Sequence, residues 1–286
     1  MENLVNHSVG PRLLDDTDYE TYSEAWRTFI EEAIQSSPAL DLAPLFHDQT
    51  GQCISSLSFP IDTLQYLVST PGANFIKVRF ILLPSLDPLT HSHFSAVMFA
   101  ADSSKEHPYP GEGRLSAYYL ATPYWEASPV AQAAATLGFS RRKEYAHPNS
   151  DTTLAAGASD SSGDGSDQDA TVLPHDLARI WLRNWQHEAL TLTITPNRFT
   201  TSTQKTLRGY NFTLRDFIEA LMLSQPMKSA QDVRLIFGIR QHFMPTTPSR
   251  LANTFGVAAR IYDTESGKGT SASPFFDLAT PCPPTH

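Results

Sequence analysis

The chain has 286 residues, 41% hydrophobic and 10% aromatic, enough for one large globular unit or two of ordinary size. Its formal net charge is −9, of which residues 149–172 supply −5, and no basic stripe suits phosphates, so nucleic acid is not expected as a partner. No run nears the roughly 18 apolar residues of a membrane span, the opening "MENLVNHSVG" lacks a signal-peptide pattern, and two cysteines exclude a disulfide framework, so a soluble cytoplasmic protein is expected.

The first predicted element is an amphipathic helix, with Tyr22, Trp26, Phe29, Ile30, Ala33 and Ile34 at helical spacing. Thr17 and Glu20 suggest a capping box at its start, and Asp15, Asp16 and Asp18 suit the positive end of its dipole. "SFPIDTLQYLV" (Ser58–Val68) predicts a second helix with Ser58 as N-cap. A strand follows in "FIKVRFILL": Ile76, Val78, Phe80 and Leu82 share one face, and Lys77 and Arg79 lie on the other. "HFSAVMFAAD" predicts its neighbour, ending on Asp102, and "YYLATPYW" (Tyr118–Trp125) comes next. "PVAQAAATLGFSRRKEY" suggests a short helix with a basic end.

Residues 149–172 are rich in Ser, Asp, Gly and Ala and lack aromatics, the composition of a flexible acidic linker. Beyond it the same order returns. Pro174 stands where a first-turn proline would, and Leu177, Trp181 and Trp185 form an apolar stripe, with Trp181 matched to Trp26. "NFTLRDFIEAL" (Asn211–Leu221) matches the second helix, with Asn211 as N-cap. "DVRLIFGIR" alternates Val233, Leu235, Phe237 and Ile239 against Arg234, and "TFGVAARIYD" ends on Asp263. Leu-Ala-Thr-Pro, at Leu120–Pro123, recurs at Leu278–Pro281.

Matched blocks are offset by 153 to 161 positions and keep their order, which chance similarity does not do. The predicted fold is therefore α+β: two degenerate helix-helix-strand-strand units with pseudo-two-fold symmetry, and an antiparallel sheet with helices on one face. The boundaries fall at 1–148 for the first unit with its extra helix, 149–172 for the linker, and 173–286 for the second unit. A lone hairpin is marginal. The two hairpins are thus expected to share a sheet, or to gain strands from Leu190–Thr195 and from the "AYYLATPYW" region.

Candidate chemistry is sparse. His91 and His93 stand two apart before a strand, the spacing at which two imidazoles point one way and can hold a metal, with Asp87, Asp102 or His107 as third ligands. An exposed histidine pair explains them more simply. The inter-strand connections "PSLDPLTHSH" and "QHFMPTTPSRLANT", the latter with His242, are long and proline-punctuated, which suits recognition. Lys77 and Arg234 recur at matched positions as binders of an anionic group, although a solvated outer face is the simpler account. Trp26 and Trp181 read as core anchors rather than a stacking platform for a ligand. No nucleophile elbow, phosphate loop or paired-cysteine motif occurs, Cys53 sits in a turn-like stretch, and Cys282 lies in a proline-rich tail without a rigid frame. No catalytic residue and no cofactor are assigned.

The ending "TPCPP" (Thr280–Pro284), after such an α+β unit, resembles a loosely defined group of small uncharacterised bacterial proteins, once per half over residues 19–125 and 174–286. In that group the tail tends to reach another cysteine, where this chain has Thr285 and His286. The resemblance implies the duplicated unit and no activity.

The expectation is a non-catalytic binding protein that takes a protein or small ligand through its long loops or the groove between repeats. One alternative is a hydrolase or metal-dependent enzyme using His91, His93, Asp102 and His107 of the first repeat. The other is a self-associating structural subunit.

Overall fold

The structure, a computed structural model, describes residues 11–47, 54–84, 94–103, 113–124, 171–173, 175–191, 194–201, 205–215, 217–218, 231–244, 247–263, 268–269, 275–277 and 280–282. The first half runs β1 (Arg12–Leu14), α1 (Asp16–Ser36), a 3-10 turn (Ala43–Phe46), β2 (Ser56–Pro60), α2 (Ile61–Val68), β3 (Phe75–Leu82), β4 (Phe94–Ala101), β5 (Tyr118–Leu120) and β6 (Thr122–Tyr124). The second runs β7 (Thr171–Leu173), α3 (His175–Leu190), a 3-10 turn (Pro196–Phe199), β8 (Gly209–Thr213), β9 (Gln231–Met244), β10 (Thr247–Asp263), β11 (Lys268–Gly269), β12 (Phe275–Asp277) and β13 (Thr280–Cys282).

The chain is α+β, with helices and antiparallel sheets. Its strands form two sheets rather than a shared one. The first has the order β1-β5-β4-β3-β8-β13 and the second β6-β2-β9-β10-β12-β7, with β11 on β10. Each hairpin, β3–β4 and β9–β10, is the centre of its own sheet. The strand beside each hairpin comes from the other half: β8 pairs with β3, and β2 pairs with β9. Both had read as helix starts. Ser58 and Asn211 are strand residues, and α2 begins only at Ile61, after Pro60. A proline cannot donate to a ladder and sets a fixed φ, so the strand ends and the helix starts there.

Other boundaries shift for local reasons. The N-cap of α1 is Asp15, whose carboxylate accepts from the backbone of Asp18, in place of the Thr17–Glu20 box. Leu190 ends α3 rather than opening a strand, and the second hairpin takes its added strand from β2 instead. The "AYYLATPYW" region does join sheets: β5 lies beside β4 and β6 beside β2.

The alternation read in the sequence is real. Ile76, Val78 and Phe80 of the first sheet and Val233, Leu235, Phe237 and Ile239 of the second line one shared core. The inner faces meet through aromatic edges, with Phe80 5.6 Å from Phe255 and Phe94 5.8 Å from Phe237. Tyr210 of β8 reaches across to donate its hydroxyl to the carbonyl of Phe255. Trp26 and Trp185 enter this core from α1 and α3, both fully buried. Each fully buried Phe, Leu, Ile or Val of this core contributes roughly 1.5–3 kcal/mol by burial.

The opposite faces are covered as well. On the first sheet Tyr19 of α1 stacks on Tyr118 beside Phe99, Val97 and Ile81. On the second, α3 comes so close to β9 that a Cβ on Gly238 would lie 2.7 Å from the Cβ of Trp181. Strands buried on both faces place their intervening residues, polar ones included, out of water. That decides the fate of the charged residues in them.

Candidate functional site

Lys77 and Arg234 are not on a solvated outer face. Lys77 is 0% exposed and Arg234 2% exposed. The aromatic layer under α1 and the close approach of α3 cover the faces the alternation alone would leave to solvent. The two cations do not converge, because one lies in each sheet. Each instead stands opposite the polar residue taken from sequence as a helix cap: Lys77 faces Asn211, and Arg234 faces Ser58.

The best-defined polar arrangement belongs to Arg79, which sequence reading placed on the face of Lys77 and gave no role. Its Nη1 donates to the carbonyls of Val78 and Tyr210 at 2.9 and 3.1 Å, and its Nη2 to Asn211 Oδ1 at 2.8 Å. Opposite it lies Gly209, at φ 150°, where a Cβ would be 2.1 Å from the Val78 carbonyl. Only glycine lets β8 come this close to β3. In the second sheet Ser58 Oγ donates to Asp232 Oδ2 at 2.8 Å. These buried polar groups tie strands of the two halves together.

A second polar pair joins α3 to the 3-10 turn at Pro196–Phe199. Arg198 grips Glu188 with two bonds, Nε to Oε2 at 2.9 Å and Nη2 to Oε1 at 3.1 Å, and Glu188 is wholly buried. Nη1 of the same guanidinium reaches the Asn253 carbonyl of β10 at 3.4 Å. Burial pulls the Arg198 pKa down from its ordinary value, because the charged form loses water. At the surface Arg114 clamps Asp16 of α1 at 2.6 and 2.8 Å and lies over the Tyr118 ring.

His91, His93, His107, Asp87 and Cys53 lie outside the described residues. Asp102 is exposed and its backbone meets Gly113 and Asn74. Among the described residues no group of three or more His, Cys, Asp or Glu is placed to hold a metal. His242 belongs to a strand, not a loop: its backbone stands opposite Ala252 in the β9–β10 ladder. The proline-punctuated stretch was read as a connection because its composition is turn-like. Cys282, read as part of an unframed tail, is in β13 opposite Gly209.

Trp26 and Trp181 are both buried, as anchors would be, but they do different work. Trp26 donates to the Leu207 carbonyl, and the residue with the matching contact is Trp185, which donates to Ile54. Trp181 instead backs Gly238 and carries the Arg240 guanidinium on its ring at 4.6 Å. Among the described residues no helix is long and apolar enough to cross a membrane. No protein-family model matches the chain, and neither a curated protein nor a solved structure was found to match it.

Proposed function

We propose that this chain is a non-catalytic binding protein built from two degenerate copies of one α+β unit, which engages a protein partner through the β9–β10 ribbon. The duplication is supported by strand order. Read from β1 and from β7, the two sheets run through corresponding segments: β1 and β7, β5 and β12, β4 and β10, β3 and β9, β8 and β2, β13 and β6. Backbone contacts repeat as well. Phe80 N donates to Arg208 O and Phe237 N to Ser55 O, while Ile54 N donates to Phe46 O and Leu207 N to Phe199 O. Phe46 and Phe199 stack on each other at 5.7 Å with planes 7° apart, as equivalent rings beside a pseudo-two-fold axis would.

The observation that carries the binding reading is the reach of the β9–β10 ladder. It runs past Ile239 opposite Phe255, through His242 opposite Ala252, to Met244 opposite Thr247. A two-stranded ribbon is marginal by itself, and an extension of this kind suits main-chain pairing with a partner strand.

The test replaces Phe243–Leu251 with an Asn-Gly turn and compares both proteins, purified without chelator from native cells, by native mass spectrometry. The reading expects a protein partner on the parent chain and none on the shortened chain, with unchanged circular dichroism. Equal retention of the partner rejects the ribbon. A stoichiometric metal or metabolite with no protein partner rejects the whole reading in favour of an enzyme.

A further inference from the structure

The seam between the two halves is an interaction surface in its own right. Across it β3 accepts β8 over Phe75–Arg79, and β9 accepts β2 over Ser56–Pro60. β8 and β2 in turn carry β13 and β6 at the sheet edges. The Arg79–Asn211 and Ser58–Asp232 hydrogen bonds cross the seam, as do both indole donations. Each half thus lacks two strands of the sheet centred on its own hairpin. It holds two strands of the other sheet.

We infer that neither half is a folding unit alone, and that the partner this seam fits is a second copy of the chain, with the first half of each molecule completing the second half of the other. The same hydrogen bonds form within one chain or between two, so only the connection between halves decides which arrangement is adopted. That connection, residues 125–170, runs from β6 to β7, the two edges of the second sheet. Five strand spacings separate those edges, about 24 Å. The inference rests on the pairings themselves and not on the duplication or on partner binding, so its failure leaves the ribbon proposal untouched.

The test is deletion of residues 127–168 from the full chain. Four residues then join Tyr124 to Thr171, spanning at most about 18 Å, which is too short to close the fold within one molecule. The expected product is a dimer of twice the mass by light scattering, with the circular dichroism of the parent. A folded monomer overturns the inference. Should the variant fail to fold, a second measurement decides: the parent chain with a protease site inserted after Gly163 is cut after folding. The two fragments are expected to elute together as a 1:1 complex whose urea midpoint rises with concentration. Fragments that part on the column, or a midpoint independent of concentration, overturn it.

Discussion

Trp26 donates its indole N–H to the carbonyl of Leu207, 181 positions later in the chain, and both residues are buried. Trp185 does the same toward Ile54, 131 positions earlier. Each helix thereby anchors the segment that leads into a strand contributed by the other half.

Trp26→Phe keeps most of the apolar volume and removes the donor, leaving a buried carbonyl unpaired. The expected loss is about 2–4 kcal/mol, combining an unsatisfied acceptor and a partial cavity. Trp185→Phe should cost a similar amount. Urea unfolding of both variants checks this, and a loss below about 1 kcal/mol in each would show that the indole bonds are incidental.

Glu188→Gln leaves the Arg198 guanidinium half-buried without its counter-charge. Breaking a buried pair from one side costs about 3–5 kcal/mol, whereas replacing both partners by apolar residues of similar size is often neutral. Glu188→Gln should therefore be the less stable protein and Glu188→Leu with Arg198→Met nearly unchanged. A double-mutant cycle by chemical denaturation reads the difference.

Gly209→Ala places a Cβ against the Val78 carbonyl at 2.1 Å, on a residue at positive φ. Backbone is there to yield, so strain and overpacking together should cost about 2–4 kcal/mol or more. Gly238→Ala meets the Trp181 Cβ at 2.7 Å and should cost less, because α3 can shift outward. Thermal melting of the two variants should rank them in that order.

Among the described residues, acid dependence has one defined surface contributor. The Arg27 hydrogen bond holds the Glu24 carboxyl below its ordinary pKa, which burial only partly opposes. A depressed folded pKa contributes stability above the unfolded value and loses it as pH falls through the folded value. Both side chains are largely exposed, so the contribution should be under about 0.5 kcal/mol. Glu24→Gln should flatten the acid limb of the stability curve by that small amount, and salt should shrink the difference.

Lys77 shows where sequence reading stopped. Its place on the face opposite Ile76, Val78 and Phe80 was legible, because side chains alternate along any strand. Whether that face meets water depends on what packs there, and Tyr19 and Tyr118 come from elsewhere in the chain. The same limit applied to Ser58 and Asn211. Each precedes a helix and has a side chain that caps well, but each lies opposite a central strand of the other half. Arg79 was visible as a second cation on that face, although its Asn211 partner was not, being 132 positions away.

The sequence by itself determined what is local: the amphipathic stripes of α1 and α3 and the alternation of β3 and β9. The tertiary structure alone decided which strands pair, that β2 and β8 change sides, and that Lys77 and Arg234 are buried apart. The reason is physical. Periodicity follows from backbone geometry over a few residues, whereas strand partners and solvent exposure follow from contacts between segments far apart in the chain, which no local pattern encodes.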